Sequence, residues 1–183
     1  MSILLLGGSP ATPSSSGRLL QHIGDRLAAH GHRTSSLRVR ELPAQALMLA
    51  DVDDAAIQRA LAAVATAHAV IIATPVYKAA YAGVLKAFLD LLPQNGLSGK
   101  VVLPIATGGS QSHLLALDYA LRPVLHALDA RQVLPSIFAT THQLQWNEDH
   151  GLTIAPPLAA RVAAGVAHLS EALQDHRYNN IAA

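Results

Sequence analysis

Residues 73–93 read ATPVYKAAYAGVLKAFLDLLP and follow the apolar run Ala69–Ile72. That run has the length and composition of a buried strand, and apolar residues return at helical spacing from Gly83. Only the turn Thr74–Ala80 separates the two elements. In an open α/β sheet, ligands bind in the crevice beyond the carboxyl ends of the strands. This turn is therefore the first candidate for a functional site.

Short apolar runs alternate with longer segments of helical period along the chain, which indicates βαβ units on a parallel sheet. The predicted strands lie near Ile3–Leu6, Arg33–Val39, Ala69–Thr74, Val101–Ala106 and Val133–Phe138. The predicted helices lie near Ser16–His30, Asp54–Ala67, Gly83–Leu91, Ser112–Leu128 and Pro157–Asp175. We predict an α/β fold with a doubly wound, five-stranded parallel sheet in the order 2-1-3-4-5 and helices on both faces. The segment Thr140–Pro157 is predicted to be a loop.

Length and composition restrict the class of protein. A chain of 183 residues predicts a single domain, residues 1–183. With 51% hydrophobic and 14% charged residues, disorder is excluded. The net charge of +1 offers no field for nucleic acid or an anionic membrane. The apolar runs fall short of the roughly 18 residues of a membrane span, and the N-terminus lacks a basic segment, so a cytoplasmic location is expected.

The same totals bear on metal and thiol chemistry. The chain contains no cysteine, which excludes a thiol nucleophile and cysteine-ligated metals. Its ten histidines show no ligand spacing such as H-E-x-x-H, so no metal site is expected.

The first loop, Gly7–Arg18, joins a strand to a helix and is rich in hydroxyl groups. It lacks the spacing of a dinucleotide fingerprint and of a P-loop. Hydroxyls and a helix N-terminus suit a monoester phosphate. The alternative is that Ser14, Ser15 and Ser16 merely cap the first helix. The residues leave both interpretations open.

The second and third loops offer flat surfaces and close backbone approach. Pro75 keeps the second loop extended, while Tyr77 and Tyr81 add aromatic surface. The third loop carries the pair Gly108 and Gly109, which indicates that a ligand approaches the backbone. Plain turns remain the alternative for each loop. Together the three loops predict a phosphate end and two ring walls, the shape of flavin mononucleotide (FMN).

Four stretches, GSPATPSSSGRLL, ATPVYKAAYAGVLKAFLDLLP, GKVVLPIATGGS and HLLALDYALRPVL, together resemble the flavodoxin-like NADPH-dependent FMN reductases. The similarity is to the reductase component of two-component alkanesulfonate monooxygenase systems, and it spans roughly residues 3–138. It implies that the FMN phosphate is held by Ser9, Ser14 and Ser16. It implies that the isoalloxazine is held by Pro75, Val76, Tyr77, Lys78, Gly108 and Gly109. Related loops often have arginine where this chain has Ala11, and Arg18 is the candidate to replace it.

The resemblance implies an NAD(P)H-dependent FMN reductase that transfers a hydride from NADPH to FMN and supplies reduced flavin to a partner monooxygenase in sulfonate-sulfur assimilation. The flavin carries the chemistry, so no catalytic acid, base or nucleophile is required of the protein. One alternative is a quinone or azo reductase with tightly bound FMN. Another is a flavodoxin-like electron carrier, although carriers of that type are strongly acidic and this chain has 13 basic against 12 acidic side chains.

The predicted fourth helix has two apolar stripes. One should face the sheet, while Leu115, Tyr119 and Arg122 lie on a second stripe that predicts a subunit contact. Pro123 cannot donate to the carbonyl of Tyr119, which predicts a kink or π-bulge there. Related sulfonate-system reductases have a π-helix at the matching tyrosine in a tetramer interface, so the resemblance implies a homotetramer.

Overall fold

The computed structural model describes residues 1–181, with side chains described for residues 1–175. The strands are β1 (Ser2–Gly7), β2 (Arg33–Arg38), β3 (Ala69–Tyr77), β4 (Ala80–Tyr81), β5 (Val101–Gly108), β6 (Gln132–Val133), β7 (Ile137–Thr140), β8 (Leu144–Asn147) and β9 (Gly151–Ile154). The α-helices are α1 (Ser15–Ala29), α2 (Ala44–Met48), α3 (Ala55–Thr66), α4 (Gly83–Leu89), α5 (Arg122–Ala127) and α6 (Pro156–Ile181). Short 3₁₀ turns span Val39–Glu41, Gln111–His113 and Thr141–Gln143, and a π-helix spans Leu117–Leu121.

The main sheet is parallel along β2-β1-β3-β5, and β6 and β7 both pair with β5 on its far side. The last predicted strand is thus two short pieces, and the predicted order 2-1-3-4-5 is confirmed. The interruption falls at Pro135, which has no N–H to donate to a ladder. Leu134 still donates its N–H to the carbonyl of Val102, at 2.8 Å, before the chain breaks away.

Both faces of the sheet are covered, because alternate residues of each buried strand point to opposite sides. On one face, Leu4, Leu6, Val70 and Ile72 pack with α3, α4 and α5. On the other face, strand residues such as Ile71 pack with α1 and α6. The layers leave the carboxyl ends of the strands open at one edge. In the described residues, no helix is long and apolar enough to cross a membrane.

The prediction of a loop over Thr140–Pro157 was wrong, because the segment contains an antiparallel hairpin of β8 and β9. Alternating apolar residues pair across it, with Leu144 opposite Ile154 and Trp146 opposite Leu152. The polar run at residues 147–150 consists of the last residue of β8 and the three-residue turn of this hairpin. Its abundance of turn-forming residues obscured the two short strands on either side. The short helix α2 was not predicted either.

The predicted fourth helix, Ser112–Leu128, is divided into a 3₁₀ turn, the π-helix Leu117–Leu121 and α5. The predicted irregularity at Tyr119 is therefore present. The N–H of Arg122 donates to the carbonyl of Leu117, five residues earlier, which is the π-type hydrogen bond. Pro123 follows directly, so its missing donor explains why the α-helical ladder is interrupted here.

Candidate functional site

A cavity of about 280 Å³ opens where β1, β3 and β5 end, and we call it the sheet-edge crevice. All three predicted loops contribute to its walls. Its lining residues are Ser9, Ala11, Pro13, Ser14, Ser15, Ser16, Pro75, Val76, Tyr77, Thr107, Gly108, Gly109 and Thr141. The parallel topology explains this convergence, because parallel strands end on the same edge of the sheet.

Most of the residues predicted to bind FMN line this crevice. They are Ser9, Ser14, Ser16, Pro75, Val76, Tyr77, Gly108 and Gly109. Two predicted residues lie elsewhere: Lys78 is exposed at the tip of the second loop, and Arg18 lines a different cavity. Thr107 and Thr141 were missed. Thr107 lies near the end of β5, directly before the glycine pair, a position that could have indicated it, whereas the overlooked β8–β9 hairpin follows Thr141.

Close packing holds the first two loops together. The N–H of Gly8 donates to the carbonyl of Ala73, at 2.7 Å, and continues the pairing of β1 with β3. A Cβ atom at Gly8 would lie 2.7 Å from Cβ of Leu85 on α4. Only glycine therefore permits the first loop to approach α4 this closely.

The first loop combines a helix cap with an unused donor. Oγ of Ser14 accepts a hydrogen bond from the N–H of Gly17, at 3.1 Å, so Ser14 is the N-cap of α1. Ser9 is internally bonded as well, because its Oγ accepts from the N–H of Ala11 at 3.2 Å. Ser16, in contrast, is only 1% exposed, and its buried Oγ has no hydrogen-bond partner. A buried hydroxyl without a partner is costly, and an acceptor in the crevice would satisfy it.

The second loop is a hairpin rather than an open turn, since β3 continues to Tyr77 and pairs with β4. Lys78 and Ala79 have φ values of 49° and 63°. Positive φ at both central positions is the requirement of a type I′ turn, which normally selects asparagine and glycine. The hairpin is closed by Thr74, whose Oγ1 accepts from the N–H of Ala82 at 3.0 Å.

Tyrosine side chains differ across this hairpin. The Tyr77 side chain is exposed and lines the crevice, whereas Tyr81 is half-buried. Burial raises the pKa of the Tyr81 hydroxyl, and nearby Lys86 partly opposes that rise. Lys86 itself forms an ion pair with Asp90, with Nζ 2.7 Å from Oδ1, so its charge is directed along α4.

The third loop shows why its two glycines differ. A Cβ at Gly108 would approach Cζ of Phe138 to 3.0 Å, so Gly108 is a packing requirement. A Cβ at Gly109 would meet no atom within 4 Å, so this glycine leaves open space at the crevice wall. Behind the loop, Nδ1 of His113 is buried without a partner. The spacing of histidines in the sequence did not indicate that His113 has a buried ring nitrogen.

A second and larger cavity, of about 510 Å³, lies on the other side of the first loop. We call it the arginine cavity, because Arg18, Arg38 and Arg40 line it. Arg18 lies over the ring of Trp146, with the guanidinium carbon 4.1 Å from the ring centroid. The two cavities share Ser9, Ala11, Pro13 and Ser14 as a common wall.

The predicted second stripe of the fourth helix faces outward. Leu115 is 54% exposed and Tyr119 is 79% exposed, while Leu117, Leu121 and Leu125 are buried against the sheet. Arg122 pairs with Asp118, with Nε 3.3 Å from Oδ1. In the part of the chain that the structure describes, no group of three or more histidine or acidic side chains is arranged to hold a metal ion.

The sheet-edge crevice has the chemistry of a flavin phosphate site. The unpaired Ser16 hydroxyl and the N-terminus of α1 supply donors for a phosphate oxygen. The open wall at Gly109 and the exposed ring of Tyr77 leave room for a flat ring. These residues fit FMN.

Comparisons with known proteins agree with this geometry. Residues 1–145 match the family described as NADPH-dependent FMN reductase, and the chain belongs to this family. FMN reductase (NADPH) of Pseudomonas putida is 46% identical over 148 residues, covering 81% of this chain and 75% of that protein. FMN reductase (NADPH) of Escherichia coli is 44% identical over 144 residues, covering 79% of this chain and 75% of that protein.

Relatives described as NADH-dependent are similar as well. NADH-dependent FMN reductase SfnE of Pseudomonas putida is 31% identical and covers 88% of this chain and 87% of that protein. The solved structure of an NADH:FMN oxidoreductase, EMOB, in its apo form, has a TM-score of 0.84 and 37% identity. It covers 92% of this chain and 87% of that one. The predicted flavodoxin-like fold, the reductase family and the enzyme class are thereby confirmed.

Proposed function

We propose that this chain, acting as one FMN-binding domain, passes a hydride from NADPH to FMN and releases reduced FMN to a separate monooxygenase in the cytoplasm. The observation that carries the proposal is the unpaired, buried hydroxyl of Ser16 at the phosphate end of the sheet-edge crevice. Family membership and the similarity to FMN reductases that use NADPH support it.

The chain's own residues bind and orient the ligands. Ser9, Ser14 and Ser16 hold the phosphate; the Ser14 hydroxyl accepts from the helix backbone and keeps its own proton to donate. Pro75, Val76, Tyr77, Gly108 and Gly109 form the walls for the ring. Lys78, exposed at the tip of the hairpin, adds a positive charge next in sequence to Tyr77 of this wall. FMN, when bound, supplies the hydride acceptor, so the protein needs no acid, base or nucleophile.

Steady-state kinetics with free FMN as the varied substrate tests this function. We expect NADPH oxidation to saturate with added FMN, and the protein to emerge colourless from gel filtration. Stoichiometric yellow flavin with no rate dependence on added FMN would identify a bound-flavin reductase of quinones or azo compounds instead. Flavin that is bound but not reduced by either nicotinamide would identify an electron carrier.

We further propose a homotetramer built on the outward stripe of Leu115, Tyr119 and Arg122. An exposed leucine and tyrosine beside a π-helix support this contact, because π-bulges are frequent at functional sites. Light scattering on Leu115→Glu and Tyr119→Ala should give smaller assemblies than the parent protein. Equal masses for all three proteins, or a monomeric parent, would contradict the proposal.

A further inference from the structure

The arginine cavity is larger than the sheet-edge crevice, and the flavin assignment leaves it unused. It lies between α1, the end of β2 and the β8–β9 hairpin. Apart from the shared wall, its lining includes Arg18, His22, Asp25, Arg38, Arg40 and Trp146. Basic and aromatic groups together in a concave site indicate an anionic ligand with a flat ring.

The charges in this cavity favour an anion. Arg38 and Arg40 both contact the same oxygen of Glu41, with Nη1 and Nη2 at 3.3 and 3.1 Å from Oε1. Each guanidinium has five N–H donors, so most donors remain free for another acceptor. Asp25 accepts from Nε2 of Gln21 at 2.8 Å. The three guanidinium groups of the cavity thus outnumber the two nearby carboxylates, which are Asp25 in the lining and Glu41 beside it.

A flat apolar surface lies next to these charges. Trp146 is 49% exposed, and the Arg18 guanidinium lies over one face of its ring, 4.1 Å from the centroid. Leu20 and Leu152 add apolar contact. Burial lowers the pKa of the His22 imidazole, Arg26 adds to that effect and Asp25 partly opposes it, so the neutral ring is favoured. A purine could stack here while a phosphate reaches the arginines.

The position in the fold points to one nucleotide. In dinucleotide-binding sheets of the order 3-2-1-4-5-6, an arginine about 20 residues beyond the glycine-rich turn accommodates a 2′-phosphate. This chain lacks that turn's fingerprint and has the order 2-1-3-4-5, but Arg38 and Arg40 lie at a comparable distance beyond its first loop. Arg38 ends β2 and Arg40 follows it by two residues. Because the wall of Ser9, Ala11, Pro13 and Ser14 borders both cavities, one extended dinucleotide could reach from one cavity to the other.

We propose that the arginine cavity binds the adenosine 2′-phosphate half of NADPH, with Arg38 and Arg40 on the phosphate and Trp146 against the adenine. The proposal rests on the proposed function, since it assigns a site to the hydride donor. It also gives a physical basis for coenzyme choice, which differs among the similar reductases.

Binding of a fragment tests the site without any turnover. Calorimetry on FMN-free protein should show that adenosine 2′,5′-bisphosphate binds about 10-fold more tightly than adenosine 5′-monophosphate, because hydrogen bonds to charged groups are worth about 1.5–3 kcal/mol. Arg38→Gln combined with Arg40→Gln should abolish this difference. Arg33→Gln, exposed at the opposite end of β2, is the matched control and should preserve it.

Removing the carboxylate that competes for the two arginines should raise the affinity for adenosine 2′,5′-bisphosphate. Glu41→Gln frees both arginines, so the bisphosphate should bind more tightly than to the parent protein. Equal affinity for the two nucleotides in the parent, or an unchanged preference in a double variant with a normal melting temperature, would overturn the proposal.

Kinetics separates this proposal from the proposed function. The double variant should lower the ratio of kcat/KM for NADPH to that for NADH about 10-fold while leaving KM for FMN unchanged. An unchanged ratio in an active enzyme would overturn the nucleotide site and leave the reductase function intact. Bisphosphate binding in a protein that reduces FMN with neither coenzyme would uphold the site and overturn the reductase function.

Discussion

The sheet-edge crevice and the arginine cavity share a wall but are built in opposite ways. The crevice is made mainly from short side chains and backbone at the ends of β3 and β5 and in the loop that follows β1. The cavity is made from long side chains that come from α1, β2 and the β8–β9 hairpin. Local turns can therefore be recognised in a sequence, whereas a site assembled from distant side chains becomes visible only in the fold.

The largest difference between the two cavities should appear with Ser16→Ala. Loss of the unpaired hydroxyl should weaken FMN binding about 10- to 100-fold, since a hydrogen bond to a charged group is worth about 1.5–3 kcal/mol. Fluorescence titration with FMN measures this loss. The melting temperature should not fall, because that hydroxyl bonds to no protein group.

Ser14→Ala provides the contrast to that variant. It removes the cap on Gly17 and should lower the free energy of unfolding by about 1 kcal/mol.

Adenosine 2′,5′-bisphosphate should bind Ser16→Ala as it binds the parent. Unchanged FMN affinity in Ser16→Ala would remove the phosphate role from the crevice.

The variant Thr74→Val tests whether the crevice wall depends on one hydroxyl. It leaves the buried N–H of Ala82 without its acceptor and should lower the free energy of unfolding by about 1–3 kcal/mol. Urea denaturation measures the change. Thr74→Ser keeps the hydroxyl and should lose much less; equal losses for both substitutions would contradict the assigned role of the hydrogen bond.

The variant Trp146→Ala tests the other side of the comparison, the arginine cavity. Because stacking of a base on an aromatic ring is worth about 1–3 kcal/mol and this ring is half-exposed, adenosine 2′,5′-bisphosphate should bind about 5-fold more weakly. FMN affinity should stay the same. A parallel loss of FMN affinity would mean that the two cavities hold a single ligand.

The smallest expected effect concerns the strained turn of the hairpin. Ala79 has a φ of 63°, so Ala79→Gly should relieve strain and raise the free energy of unfolding by about 0.5 kcal/mol after the entropy of glycine is deducted. Thermal unfolding detects this change. Ala80→Gly, in the adjoining strand β4, should destabilise instead; a loss of stability in Ala79→Gly would show that the turn carries no relievable strain.

Much of this architecture could be predicted from residue patterns. Strands such as Ala69–Thr74 are short, apolar and followed by helical periodicity, and the missing donor of Pro123 indicated the irregularity at Tyr119. The contacts that individual side chains make in the fold could not be predicted in the same way. Arg18 is the last residue of the first loop, but its side chain lies over Trp146, which is 128 positions away in a hairpin that the pattern concealed.

The serines of the first loop show the same limit on a smaller scale. Their sequence offered capping and phosphate binding as alternatives for the whole group. The fold divides these features, because Ser14 caps the helix while Ser16, two residues on, has a buried oxygen without a partner. Which hydroxyl lacks a hydrogen-bond partner depends on the residue at which the helix begins. The hydrophobic periodicity of the sequence does not determine that residue.

The wall formed by Ser9, Ala11, Pro13 and Ser14 has a thermodynamic consequence for the two cavities it separates. If a nucleotide on one side shifts this segment, the affinity for a flavin on the other side changes by some factor. Linkage then requires the flavin to change the nucleotide affinity by the same factor. Two titrations performed in opposite order must therefore return one coupling free energy, whose sign reports whether the ligands assist or oppose each other through these four residues.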